Sequence, residues 1–211
     1  VDEKFNISSL KKLISGSEYS FVNDLLKISD KKKKIITLKI SSNKTISLLS
    51  LEKNLTTSNA ESLGAKFYDH FKDTKNGNFK INTDTVKSKL KSFIGCFLHG
   101  IKLKSYIFEK YKSKKSKINI HIDVVGINKP STKDQIKFRA IEAGTFFARD
   151  LVSEPGNILH PDEYAKRINL LKKDGLEIKI YNEKKLKKLG MNTLLGVGQG
   201  SVRGSYLVTI E

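Results

Sequence analysis

Ala148-Arg149-Asp150-Leu151-Val152-Ser153-Glu154-Pro155-Gly156-Asn157 is the stretch on which the reading of this chain turns. It reads as the end of a helix. Ile136, Ala140, Ala143, Phe147 and Leu151 recur every three or four residues and draw one helical face. Glu154-Pro155-Gly156 stops that helix, because proline has no amide hydrogen to continue the ladder. Upstream, Thr132 followed three residues later by Gln135 has capping-box spacing. Downstream, His160-Pro161-Asp162-Glu163 opens a second helix, with proline in the first turn and acids at the positive helix end; Lys172-Lys173-Asp174-Gly175 closes it. Residues 176–181 read as a strand, 183–189 as a short helix ended by Gly190, and 206–210 as a final strand. Helix alternating with strand predicts an α/β fold with a largely parallel sheet.

Working back toward the N-terminus, residues 117–125 alternate apolar and polar side chains, the period of a half-buried strand. Gly126 to Ser131, with Pro130, reads as a connection between domains. The predicted organisation is an N-terminal domain over 1–130, a linker helix over 131–152, and the start of a second domain over 153–211. Within the first domain, residues 8–14 carry helical spacing that Gly16 limits, and residues 34–40 and 45–51 are β-rich runs around the turn-forming 41–44. A helix is predicted from Thr57, with Ser58 as N-cap, Glu61 in capping-box position, a stripe of Leu63, Phe67 and Phe71, and an end at Asn76-Gly77-Asn78. Phe79-Lys80-Ile81 reads as a brief strand. A long helical pattern from Thr83 takes in Val86, Leu90, Phe93, Ile94, Phe97 and Leu98 and pauses at Gly100.

The chain has 211 residues and 38% hydrophobic composition, enough for one or two domains with a real core. A single cysteine, Cys96, excludes an intrachain disulfide, and its apolar neighbours predict a buried thiol in a reducing, cytoplasmic compartment. No run approaches the roughly 20 apolar residues of a membrane span, so no membrane partner is expected. The sequence opens Val1-Asp2-Glu3-Lys4, without an apolar signal core or an initiator methionine, and is expected to be trimmed there. The formal charge of +18 raises the question of DNA or another polyanion as partner. Yet only Arg139, Arg149, Arg167 and Arg203 are arginines, and the first 138 residues contain none. Arginine is the residue that forks onto phosphate and guanine, so the lysine excess reads as a solvated surface.

Candidate chemistry is sparse. Gly196-Val197-Gly198-Gln199-Gly200-Ser201 lacks the Gly-Lys-Ser/Thr ending of a phosphate loop and the strand before it and helix after it that a nucleotide fingerprint requires. His70, His99, His121 and His160 do not pair with one another or with Cys96 at zinc-ligand spacing. His99 is expected to pack near Cys96 and His121 to lie on the surface. Asp150, Glu154, Asp162 and Glu163 form a local acidic group, of which the last two suit a helix N-terminus and Asp150 pairs naturally with Arg149. No serine sits in a Gly-x-Ser-x-Gly elbow.

Asp150 to Asn157, with Pro161 and the run Gly190-Met191-Asn192-Thr193-Leu194-Leu195-Gly196-Val197-Gly198-Gln199-Gly200-Ser201, closely resembles the opening of the peptidase domain in leucyl (cytosol) aminopeptidases. Gly100-Ile101-Lys102-Leu103-Lys104-Ser105-Tyr106-Ile107-Phe108-Glu109-Lys110-Tyr111-Lys112 is similar to a run in that family's N-terminal domain. The resemblance implies a macro-like, mixed-sheet N-terminal α/β domain, a linker helix, and the first elements of an α/β peptidase domain. It implies a parent enzyme that releases N-terminal residues from peptides with two divalent ions, manganese or zinc, and assembles as a homohexamer. In that family the glycine-rich run is a structural approach to the active site, and the metal ligands lie downstream. No catalytic, metal or cofactor-binding residue is therefore assigned here, and the 211 residues alone are expected to be inactive, serving assembly and site support. Two other functions stay in view: a basic nucleic-acid-binding module and a stand-alone macro-like nucleotide binder. The latter is disfavoured because residues 1–130 lack a glycine-rich loop to hold a diphosphate.

Overall fold

A computed structural model describes residues 1–74, 77–86, 88–116 and 120–211. The chain divides into two compact units, Val1–Phe146 and Phe147–Glu211.

In the first unit, a 3-10 turn over Ser8–Lys12 leads into helix α1 (Gly16–Ile28). This helix corrects the expectation that Gly16 ends a helix: Gly16 begins one. Ser15 is extended and accepts the Glu18 amide at 3.3 Å, while its own amide donates to the Glu18 carboxylate at 2.9 Å, a complete capping box. Strands β1 (Ile35–Lys39) and β2 (Thr45–Leu49) pair antiparallel, as the two β-rich runs predict, with Ile35 opposite Leu49 and Lys39 opposite Thr45. Val22 and Leu26 of α1 pack with Ile36, Leu38 and Leu48 of this hairpin and with Phe5, Ile7 and Leu10.

Helix α2 (Thr57–Phe71) buries the expected Leu63, Phe67 and Phe71. Its cap is Thr56 rather than Ser58: the helix begins two residues earlier than the Ser58 reading requires, and extended Thr56 accepts the Asn59 amide at 3.2 Å. The expected stop at Asn76-Gly77-Asn78 is corrected: α2 ends at Phe71 and Gly77 and Asn78 already belong to the next strand, while Asn76 lies outside the described residues. Strand β3 (Gly77–Asn82) then pairs in parallel with β4 (Ile120–Val125), Gly77 meeting Ile120 and Asn82 meeting Val125. Positions 117–119 of the strand expected over 117–125 also lie outside the described residues.

The long helix expected from Thr83 is not formed as such. Asn82 accepts the Asp84 amide at 2.9 Å and turns the chain into a 3-10 turn, Thr83–Thr85, so helix α3 starts only at Phe93 and runs to Lys104. Gly100 does not pause it, because here glycine serves packing. A Cβ on Gly100 would stand 2.0 Å from the Glu61 carbonyl oxygen, and one on Gly64 would stand 2.0 Å from that of Phe97. The two glycines let α2 and α3 cross with their backbones almost touching. Phe67 is central to the core around that crossing, with ring centroids 4.7 Å from Phe71, 5.1 Å from Phe79 and 5.5 Å from Phe97. Such aromatic pairs add about 0.5–1.5 kcal/mol each beyond area burial.

Helix α4 (Thr132–Ser153) is present where the linker helix is predicted, with two corrections. Ser131 caps it, accepting the Asp134 amide at 3.0 Å, in place of Thr132. The buried face also differs in part: Leu151 is buried as expected, but Ile136 is 64% exposed and Ala140 and Ala143 are exposed, whereas Phe138 and Phe146 turn inward. The cause is Gly95 on α3, whose missing side chain leaves the gap that the Phe138 ring fills; a Cβ there would lie 2.7 Å from Phe138 Cε2. An aromatic ring with a matching gap outweighs two alanine methyls.

The second unit contains α5 (Pro161–Asn169) with proline at its start, a 3-10 turn ending at left-handed Gly175 (φ 88°), and β5 (Ile178–Asn182). Then follow α6 (Glu183–Lys188), α7 (Asn192–Gly198) and β6 (Tyr206–Ile210). These agree with the predicted order, except that α7 takes in Gly196 and Gly198, which the sequence places in a loop. Strands β5 and β6 pair antiparallel. The largely parallel sheet is thus corrected to a mixed set of two-stranded pairs, one parallel and two antiparallel among the described residues. The α/β class itself stands.

Candidate functional site

The acidic group singled out in the sequence is where the second unit gathers its charges. As α4 ends, the Glu154 amide still donates to the Asp150 carbonyl at 3.1 Å, and Pro155 then turns the chain, its carbonyl accepting from the amides of Ile158 and Leu159 at 2.9 Å. That turn sets Glu154 against α5. Its carboxylate, with the side chain 1% exposed, accepts a hydrogen bond from Arg167 Nη1 at 2.8 Å. Arg167 Nε also donates to Glu163 Oε1 at 3.1 Å, one helical turn away. The two carboxylates hold the Arg167 guanidinium above its ordinary pKa, the Glu154 hydrogen bond first. At the start of α5, His160 Nδ1 and the Asp162 carboxylate bond directly. Asp162 sits below the usual carboxylate range: burial pushes it up, but the His160 hydrogen bond, its own backbone amide, and the nearby charges of His160 and Arg203 together bring it down.

This arrangement is a clamp. Glu154 and Glu163 meet at Arg167, whereas Asp162 pairs with His160, so each of the three carboxylates is already committed to a cation or an imidazole. Two hard divalent ions need several oxygens free to converge on them. Among the described residues no group of three or more His, Cys, Asp or Glu could hold a metal ion. The residues present do not fit a two-metal centre. The sequence reading missed Arg167 as the organiser, although its i, i+4 spacing from Glu163 is the signal that would have found it.

In the first unit, His99 is buried on α3 near Cys96, as expected, and its Nδ1 lies 2.9 Å from Glu142 Oε1 on α4, with its ring 4.8 Å from that of Phe138. This pair joins two helices and was not foreseen. His121 is on the surface beside Asp123 at 3.2 Å, and His70 lies 3.3 Å from the Thr37 hydroxyl. Burial pushes the Cys96 thiol up, against a hydrogen bond to Ser92, so it is a poor nucleophile. A second unforeseen device closes β4: buried Thr83 donates to the Val125 carbonyl at 3.0 Å and accepts the Asn128 amide at 3.1 Å. Asp84 accepts the Ile127 amide at 2.8 Å. Gly126 between them has φ 101°, and a Cβ there would come within 2.5 Å of Thr83 Oγ1. A cleft of about 450 Å³ is lined by Tyr68, Leu98, Ile101, Lys102, Ile107 and Ile122. Ser105 and Ser116 also line it, so polar and apolar surface are about balanced. Glu109, also at its edge, is committed to its own loop, accepting the Ser116 amide at 2.9 and 3.1 Å.

The glycine-rich run is no anion cradle. Gly196 and Gly198 are helical, and a Cβ on Gly198 would stand 2.0 Å from Ser205 Oγ, so this glycine serves a close approach of the following loop.

The chain is thus of the α/β class, with Glu154 and Glu163 locked onto Arg167 at the head of an alternating helix and strand series. Residues 146–211 match the model of the cytosol aminopeptidase family, catalytic domain. A probable cytosol aminopeptidase of Agrobacterium fabrum is 41% identical over 123 residues, covering 54% of this chain and 24% of that protein. One from Caulobacter vibrioides is 42% identical over 120 residues, covering 53% and 24%. Among solved structures, a mutant tomato leucine aminopeptidase superposes with a TM-score of 0.77 at 20% identity, over 99% of this chain and 44% of that one. The bottromycin maturation enzyme BotP in complex with Mn gives 0.70 at 19% identity, over 88% and 41%. At these identities the structural likenesses show the fold alone. The chain is thus similar to the cytosol aminopeptidases, as its sequence motifs imply, and it spans about a quarter of the length of those curated relatives. No helix among the described residues is long and apolar enough to cross a membrane.

Proposed function

We propose that this chain is the N-terminal portion of a cytoplasmic two-metal leucyl aminopeptidase, a homohexamer that releases N-terminal residues from peptides. In this reading residues 1–130 form a macro-like domain, 131–152 the linker helix, and 153–211 the start of the peptidase domain. The division of the chain after Phe146 falls within that linker. The observation that carries the proposal is the match of residues 146–211 to the catalytic-domain model. The two divalent ions, manganese or zinc, would polarise the scissile carbonyl and activate water, and their ligands are assigned outside these residues. The role of this segment is assembly and support: the Glu154–Arg167–Glu163 clamp fixes the exit of α4 against α5.

The test compares the 211-residue chain with the whole protein on leucine amide, with manganese or zinc added. Turnover is expected from the whole protein alone. Turnover that co-purifies with the 211-residue chain would overturn the assignment of the ligands, and a whole protein inert toward every N-terminal residue would overturn the peptidase reading. Intact mass of the protein as purified from its own cells fixes which chain carries any activity.

A further inference from the structure

Helix α1 has a face that its own fold does not use. Val22 and Leu26 anchor it on the β1–β2 hairpin, whereas Phe21 and Ile28, seven residues apart and so on one side, are 46% and 83% exposed. One residue past Ile28, after Ser29, comes Asp30-Lys31-Lys32-Lys33-Lys34, all exposed. Lys34 is paired with Glu52 at 2.8 Å and Lys27 with Asp24 at 2.8 Å, so the acid nearest the apolar pair is neutralised. Asp30 accepts the Lys32 amide at 3.0 Å in the turn that presents the lysines. Among the described residues, Lys31, Lys32 and Lys33 form no ion pair, and the whole chain carries +18.

Duplex nucleic acid would use the three ammonium groups but has no free base face for Phe21, and a single strand, which could stack a base on that ring, gains nothing from the sec-butyl group of Ile28, the more exposed of the two at 83%. An anionic bilayer uses both, the lysines at the headgroups and the apolar side chains at the acyl boundary. The charges suit this partner: each lysine near such a surface strengthens attachment about fivefold. We propose that the α1 face of Phe21 and Ile28, with Lys31, Lys32 and Lys33, docks this protein peripherally on anionic lipid surfaces. The sequence reading expects no membrane partner because no segment can span; docking on a surface needs no span. This attachment is reversible and falls as salt screens it.

The test is co-sedimentation of the full chain with phosphatidylcholine vesicles, with and without about one-third phosphatidylserine. Binding is expected to the mixed vesicles and not to pure phosphatidylcholine. Lys31→Gln/Lys32→Gln/Lys33→Gln should weaken it about a hundredfold, and Phe21→Ser/Ile28→Ser roughly tenfold. All five side chains are exposed, so circular dichroism should show both variants folded. The proposal is overturned if the chain ignores the mixed vesicles. It also fails if the Phe21→Ser/Ile28→Ser variant binds them as well as the parent, since attraction of lysines alone would then explain the binding. Binding to short duplex DNA without binding to vesicles would assign the lysines to nucleic acid instead.

Discussion

Gly100→Ala places a methyl group where α3 crosses α2, 2.0 Å from the Glu61 carbonyl oxygen and 2.7 Å from its Cα. Ordinary contact begins near 3.4 Å, so the helices must part by more than an ångström, and both obstructing atoms are backbone that cannot swing away. Overpacking of this kind costs about 1–3 kcal/mol, and a backbone clash belongs in the upper half of that range, roughly 2 kcal/mol. The single thiol supplies the assay. Cys96 is 2% exposed on the same helix, so a thiol reagent reaches it only when the core opens. Labelling of Gly100→Ala should run about thirtyfold faster than the parent. Gly144, also in the first unit, has open space where its Cβ would be, and Gly144→Ala should stabilise α4 by about 0.5–1 kcal/mol and leave labelling unchanged or slower. Equal labelling rates for Gly100→Ala and the parent would refute the close-crossing argument.

Thr56→Ala should lower stability by about 1 kcal/mol in thermal melting while Ser58→Ala changes little, because Thr56 holds the Asn59 amide, which has no partner within the first turn of α2. In the second unit, Glu154→Gln should cost about 2 kcal/mol and Glu163→Gln less than about 0.5 kcal/mol, since only the first carboxylate is buried; hydrogen exchange of the α5 amides reads the difference. Acid should weaken the fold. The Lys44 hydrogen bond holds the Glu18 carboxyl below its ordinary value, and the Lys104 hydrogen bond does the same for Asp69. Their contribution is present above the unfolded-state pKa and lost as pH falls through the depressed folded value, so a melting temperature steady near neutrality should decline below about pH 5. A melting temperature that rises on acidification would show the sign to be wrong.

Where a single segment decides its own structure, the sequence was legible. The hairpin, the Leu63–Phe67–Phe71 stripe, proline-started α5 and the strand over residues 206–210 all follow from local pattern. The misreadings share one cause. Gly16 and Gly100 look like breaks in one dimension, but Ser15 with Glu18 makes the first a helix start and Glu61 makes the second a contact point. The inward face of α4 could not be chosen from its own residues, because the gap at Gly95 that admits Phe138 is on another helix. At the acidic cluster the sequence named the carboxylates without their organiser. Whether an acid is free to bind a metal depends on who already holds it, and Arg167 answers that only in three dimensions.

The parallel pairing of β3 with β4 has a consequence during synthesis. The hairpin can close as soon as residue 49 emerges, but Gly77 must wait for Ile120. At about 5–20 residues per second, the first strand stands for several seconds with its partner not yet made. Through that interval the nascent chain displays Phe79 and Ile81 on an open edge. Slow codons between those two points would lengthen the exposure and raise the yield of insoluble protein, without altering a single residue of the product.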